Sequence, residues 1–285
     1  MATLYIVSTP IGNLEDITLR ALRILKEVDL IAAEDTRHTA FLLRRYDIRT
    51  PATSFHEHNE REKTPALLAR LGNGESVALV SDAGTPGISD PGYRLVKAAR
   101  DAGHQVSAIP GPSAVLAALV SSGFPTDSFI FLGFPPRKTE ARRTWGLQLA
   151  TESRTVVFFE APHRLRKTLE ELMPILGDRP IGVAKELTKI HERLVIQPIV
   201  DLLSTLAPIR GEYVVLVPPA VNSPRSNDEA PTDEQLTEFI GHMTQLSDGP
   251  RRARIAQAAR HFGLSSREVY AALERTKRPH KPSQT

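Results

Sequence analysis

Residues 77–92 read VALVSDAGTPGISDPG, and the two parts of this stretch obey different rules. The first four residues are all apolar and two of them β-branched, the composition of a strand buried on both faces. The twelve that follow hold three glycines and two prolines. These turn the chain sharply and let a ligand approach the backbone closely. A tight turn alone would account for an isolated glycine or proline, but a loop this dense directly after a buried strand points to a binding loop in an α/β sheet.

Working outward, short β-rich runs stand at Leu4–Val7, Leu30–Ala33 and Val106–Ile109, separated by amphipathic stretches such as Ile17–Val28 and Tyr93–Ala102. That alternation is the rhythm of βαβ units and predicts a parallel sheet. Two more turn-rich loops, SerThrProIleGlyAsn at 8–13 and ProGlyProSerAla at 110–114, also follow expected strands directly. In open α/β sheets ligands bind beyond the carboxyl ends of the strands, so the three loops outline one site.

Past Pro112 the strand-like runs continue at Phe129–Leu132, Thr155–Phe159, Ile181–Ala184 and Tyr213–Val217, with a long helical pattern from His163 to Leu176 among them. A second α/β domain is expected, with a seam near residues 112–125. The segment from Pro218 to Asp233 is rich in Pro, Ser, Asn and Asp, lacks hydrophobic periodicity and reads as a linker. Three short helices are expected after it, at Glu234–Leu246, Arg251–Phe262 and Ser265–Arg275, the last opened by a Ser265–Glu268 capping box. The expected organisation is an N-terminal α/β domain at 1–115, a second at 116–218, a linker at 219–233 and a basic helical module at 234–285.

Charge is uneven. Residues 250–285 carry nine Lys/Arg against two Asp/Glu, or +7, leaving about −4 of the chain's net +3 for everything before them. Around the turn His261-Phe-Gly-Leu264 the last two helices resemble a helix-turn-helix. Ala253, Ile255, Ala256, Ala259, Phe262, Val269, Tyr270 and Leu273 would form its small core, while Arg251, Arg252, Arg254, Arg260, Arg267, Arg275, Lys277, Arg278 and Lys281 remain for the surface. Clustered basic side chains suit a phosphate backbone, and a protein-docking module is the competing account of the same helices.

Several chemistries are excluded. The chain has no cysteine, which removes disulfides, thiolate nucleophiles and Cys-based metal sites. It has neither G-x-G-x-x-G after the first strand nor G-x-x-x-x-G-K-[ST] anywhere, so dinucleotide and P-loop readings are disfavoured. Gly111-Pro-Ser113-Ala-Val115 lacks the second glycine of a nucleophile elbow. His56-Glu57-His58 and His191-Glu192 lack metal-ligand spacing, and no metal is expected. No apolar run approaches the roughly 20 residues of a membrane span, and the start MATLYIVSTPIGN does not read as a signal peptide, so a cytoplasmic protein is expected.

Six motifs carry a resemblance: TPIGNLEDIT at 9–18, AEDTRHT at 33–39, VALVSDAGTPGISDPG at 77–92, IPGPSA at 109–114, FFEAPHRL at 158–165 and AKELTK at 184–189. In unbroken order they resemble the ribosomal RNA small subunit methyltransferase I family, within the tetrapyrrole (corrin/porphyrin) methylase fold. The resemblance implies two α/β domains holding S-adenosyl-L-methionine in the cleft between them, usually in a homodimer. Position by position it implies cofactor contacts at Pro10, Ile11, Ala83, Thr85, Ile88, Ser113, Ala114, Glu160 and Glu212. Thr85 stands in Gly84-Thr85-Pro86 where the wider fold commonly has Asp, so it brings a hydroxyl and no charge.

The reaction that the resemblance implies is 2′-O-methylation of a cytidine ribose in the decoding region of 16S rRNA, on free rRNA or the small subunit. A hydroxyl is a weak nucleophile until its proton leaves, so a base, or a cation for the developing alkoxide, is expected beside it. Among charged residues of the motifs, Lys185 and Glu186 are expected as cation and base, with Arg37 holding a phosphate. The alternatives are a small-molecule tetrapyrrole-type methylase, which needs no basic module, and a non-catalytic RNA-binding or ribosome-assembly protein, which predicts no cofactor affinity.

Overall fold

The structure, a computed structural model, describes residues 2–205, 211–220, 251–262 and 264–276, with 232–233, 236–237 and 239–241. The chain divides into two compact units, Met1–Pro219 and Ala220–Thr285.

The first unit holds two sheets. Five parallel strands form the first: β1 (Thr3–Val7), β2 (Leu30–Ala33), β3 (Ala52–Ser54), β4 (Val77–Val80) and β5 (Gln105–Ile109), in the order β3-β2-β4-β1-β5. Helices α1 (Leu19–Glu27), α2 (Thr36–Arg45), α3 (Glu60–Gly72) and α4 (Tyr93–Asp101) connect them. Two apolar clusters cover the two faces, one around Val7, Ile31 and Val80, the other around Leu4, Ala32 and Leu79. Burial on both faces is why β2 and β4 read as continuous apolar runs.

The second sheet is mixed, with β6 (Phe129–Phe131) parallel to β7 (Thr155–Glu160), while β10 (Tyr213–Val217) runs antiparallel between β7 and β8 (Ile181–Lys185), and β9 (Arg193–Gln197) closes the edge. Strand alternation is explicit in β10, where Tyr213, Val215 and Val217 face one core and Val214 and Leu216 the other. The first of these cores is covered by α6 (Thr139–Thr151), α7 (Pro162–Leu176) and α8 (Ile199–Thr205). On α7, Leu165, Leu169, Leu172 and Leu176 form a buried stripe at helical spacing, each burial stabilising by roughly 1.5–3 kcal/mol. The opposite core receives Val115, Ala118 and Leu119 of α5 (Ala114–Ser121). The chain therefore leaves β5 and lays its next helix on the second sheet, so the handover lies at the start of the expected 112–125 seam.

Residues 135–137 are tied down by buried charge. Arg142, only 4% exposed, donates to Glu171 through Nε (2.5 Å) and Nη2 (2.7 Å) and to the carbonyls of Pro136 (3.0 Å) and Arg137 (3.1 Å). Arg164 donates to the Pro135 carbonyl (2.8 Å) and lies 3.4 Å from Glu160.

In the second unit α9 (Arg251–Phe262) and α10 (Ser266–Thr276) pack through Ile255, Ala258, Ala259, Val269, Ala272 and Leu273. The expected capping box is present: Ser265 N–H donates to Glu268 Oε2 (2.6 Å) and Glu268 N–H to Ser265 Oγ (3.2 Å). Tyr270 was expected in this core and is instead 48% exposed. Val269, Ala272 and Leu273 make the i, i+3, i+4 stripe, and the residue one step on is rotated away from it. Phe262 packs edge-on to Phe239 at a ring separation of 5.2 Å. Most of the linker, the Ala253 and Ala256 side chains, much of the expected 234–246 helix and Lys277, Arg278 and Lys281 lie outside the described residues. No helix among the described residues is long and apolar enough to cross a membrane.

Candidate active site

A cleft of about 650 Å³ opens within the first unit, where loops from both sheets meet. Its first wall is made beyond the carboxyl ends of the parallel strands: Pro10, Ile11 and Gly12 after β1, residues 82–85 and 88–90 after β4, and Ser113, Ala114 and Val115 at the start of α5. His38 and Phe41 reach in from α2. The second wall is Phe134, Phe159, Glu186, Leu187, Lys189, Gly211, Glu212 and Val214.

Local chemistry explains how each loop is held. Thr9 and Gly84 exchange backbone hydrogen bonds (Thr9 N–H to Gly84 carbonyl 2.9 Å, the reverse 3.0 Å), clipping the β1 loop to the β4 loop. Gly84 does this at φ 78°, a conformation that costs a β-carbon-bearing residue about 1 kcal/mol or more. Thr85 Oγ1 meets Ser8 Oγ at 2.9 Å. Ser113 caps α5 by accepting from Leu116 N–H (3.4 Å). Gly12 presses on the other wall so closely that a Cβ there would stand 2.8 Å from the Leu187 carbonyl, the Thr188 hydroxyl and Lys189 Cγ. Asn13 N–H donates to that Thr188 hydroxyl (3.0 Å). Ser89 (φ 63°) and Glu186 (φ 52°), both lining the cleft, hold left-handed backbone, the kind of strain that collects at functional sites.

The cleft is acidic. The ends of β2 and β4 are cross-linked, Asp82 N–H donating to Glu34 (3.2 Å) and Asp35 N–H to Asp82 (3.1 Å). Burial, with Asp82 and Glu212 nearby, raises the Glu34 carboxyl above its ordinary range. Burial pushes Asp90 up to about 7, reinforced by the charges of Glu34, Glu212 and Asp82 and opposed by a hydrogen bond from Ser81. Glu186 is paired with Lys189, Nζ to Oε1 3.2 Å. The His38 ring stands 4.0 Å from Asp82.

The chain and its two-sheet fold have counterparts among known proteins. Residues 3–203 match the family of Tetrapyrrole (Corrin/Porphyrin) Methylases. A cobalt precorrin-4 methyltransferase has the same fold at a TM-score of 0.58 with 19% identity, covering 76% of this chain and 94% of that one; diphthine synthase does so at 0.58 with 15% identity, covering 76% and 90%. Proteins named ribosomal RNA small subunit methyltransferase I are far closer in sequence. The one from Synechocystis is 48% identical over 95% of this chain and 96% of its own length, and the one from Escherichia coli O157:H7 is 48% identical over 95% and 94%. This chain belongs to that family of methyltransferases. The two-sheet α/β architecture expected from the sequence is the family's fold.

Against this frame the residues singled out from the sequence separate cleanly. Pro10, Ile11, Ala83, Thr85, Ile88, Ser113, Ala114 and Glu212 all line the one cleft. Glu160 does not: it is fully buried, accepting from Ala161 N–H (2.8 Å) and the Thr168 hydroxyl (2.6 Å) and facing Arg164. Its contacts hold the start of α7 instead. Lys185 and Glu186 are parted. Lys185 follows Ile181 and Val183 on the far face of β8 and borders a separate small cavity with Arg193 and Tyr213, because strand side chains alternate. Glu186 turns into the cleft, and its cation is Lys189, four residues beyond Lys185. Arg37, 90% exposed, folds onto Asp35 (2.7 Å), holding that carboxyl well below its usual range, and it does not line the cleft. Its neighbour His38 does. Four further lining residues were not singled out from the sequence: Phe41 on α2, Phe134 in the loop after β6, Gly211 just before β10, and Phe159, which stands inside the FFEAPHRL motif beside the Glu160 that was chosen instead.

Proposed function

We propose that this methyltransferase transfers the methyl group of S-adenosyl-L-methionine to the 2′-oxygen of a cytidine ribose in the decoding region of 16S rRNA. The observation that carries this reading is the 48% identity, over nearly the whole length of both chains, to relatives named as small-subunit rRNA methyltransferases. The resemblance of the six motifs supplies the nucleotide and the position on the ribose.

The cleft fits the cofactor. Its volume lies within the usual 300–1,000 Å³ of small-molecule sites, glycine and turn backbone lines the first wall, and its carboxylates suit a ligand with a sulfonium and an ammonium group. Pro10, Ile11, Ala83, Thr85, Ile88, Ser113, Ala114 and Glu212 would hold it, and Phe134 and Phe159 offer aromatic faces for an adenine. The cofactor supplies an electrophilic methyl carbon. The chain's own part is to align the acceptor hydroxyl with that carbon, a positioning effect that can lower the barrier by several kcal/mol. Glu186 takes the ribose proton, and Lys189 Nζ offsets charge growing on the oxygen. The exposed Arg252 and Arg267 of the C-terminal helices supply phosphate contacts, a salt-sensitive attraction without sequence information.

The test is methyl transfer from labelled S-adenosylmethionine to small ribosomal subunits, and to free 16S rRNA, from cells lacking this gene, with the modified nucleotide mapped. Label on a cytidine ribose of the decoding region is the expected result. Cofactor binding with no labelled RNA would transfer the assignment to a small-molecule acceptor, and no cofactor binding at all would remove the enzymatic reading.

A further inference from the structure

The cleft's carboxylates are not equally occupied. Asp82 accepts the Asp35 N–H and faces His38, and Glu186 is paired with Lys189. Glu34 lies behind them, accepting the Asp82 N–H, with His56 close enough to be felt. Asp90 lines the cleft from the loop after β4, and negative charge reaches it from three sides: Glu34 at the end of β2, Asp82 at the end of β4 and Glu212 in the lead-in to β10. Among the described residues no Lys, Arg or His side chain stands within salt-bridge distance of Asp90. A positively charged ligand entering the cleft supplies what the protein withholds.

We propose that Asp90 is the residue by which the cleft tells the cationic sulfonium cofactor from the neutral thioether that it becomes after methyl transfer. This rests on reading the cleft as the S-adenosylmethionine site. The two molecules share adenosine and the amino-acid tail and differ by one methyl group and one positive charge. The charge favours ionised Asp90, so binding the sulfonium form expels the proton that burial and three neighbouring carboxylates keep on Asp90 in the empty cleft. The thioether form has no such charge and leaves that proton in place. Turnover thus erases the attraction that held the cofactor, and the spent form leaves more readily than the fresh one.

The experiment measures dissociation constants of S-adenosylmethionine and S-adenosylhomocysteine for the full-length protein, without RNA, between about pH 6 and about pH 8. Their ratio cancels every group that the two ligands sense alike. If the sulfonium lowers the Asp90 pKa by about one unit, preference for S-adenosylmethionine rises about fivefold across this range, and calorimetry in buffers of different ionisation enthalpy records up to about half a proton released with that ligand alone. In Asp90→Asn the ratio falls and its pH slope flattens, the folded state being checked by thermal denaturation. A flat ratio in the wild-type protein would overturn the proposal. So would a slope that survives in Asp90→Asn, which would belong to another group. Failure of both ligands to bind at every pH would instead defeat the reading of the cleft.

Discussion

Replacing Arg142 by Met keeps most of the aliphatic stem and removes the charge, and the structure lets the cost be worked out. Arg142 is buried and makes two bonds to Glu171 and two to the carbonyls of Pro136 and Arg137. Removing one partner of a buried pair costs about 3–5 kcal/mol. The Glu171 side chain is 25% exposed, so water meets part of its demand and the low end applies, about 3 kcal/mol. For a body of this size that is a fall of roughly 6–12 °C in Tm. Urea denaturation should show a lower midpoint with an unchanged m-value. Arg142→Lys, which keeps the charge and loses the fork, should fall between the two. The same substitution loosens residues 136 and 137, just beyond Phe134, so cofactor affinity should drop as well. A loss below about 1 kcal/mol would refute the reasoning, since it would mean that the pair is worth no more than a surface salt bridge.

Gly12→Ala puts a Cβ 2.8 Å from the Leu187 carbonyl, a backbone atom that cannot swing aside. If about 1.4 kcal/mol of that overpacking falls on the bound state, S-adenosylmethionine binding weakens on the order of tenfold by equilibrium titration. Lys185→Met, on the far face of β8, should leave cofactor affinity and methyl transfer within about twofold, whereas Glu186→Gln should depress the transfer rate at saturating cofactor. Stability of the ligand-free protein should fall as pH rises from about 4 to about 7, because folded Asp90 keeps a proton that the unfolded chain has already lost. Chemical denaturation across that range should show a shallower decline in Asp90→Asn.

The parallel sheet was plain in the sequence because its central strands are buried on both faces, and Leu30–Ala33 and Val77–Val80 fall where the apolar runs do. Two edge strands were not. Ala52–Ser54 is three residues long with no apolar run, and Arg193–Gln197 alternates Leu194 and Val195 to opposite faces between polar ends. Backbone-rich loops announced the first wall of the cleft through glycine and proline. The second wall is built largely from side chains such as Phe134 and Phe159, whose convergence depends on how the second sheet is placed, and local sequence carries no trace of that. Lys185 shows the limit of adjacency: consecutive residues at a strand end point to opposite sides, and the useful lysine lay one turn further on.

Gly12, Asn13 and Thr188 form a fixed seam along one side of the cleft. Two plates joined along one margin can part only by tilting about it, like a door on its post. Any ligand of the cleft must then come in from a side other than this seam.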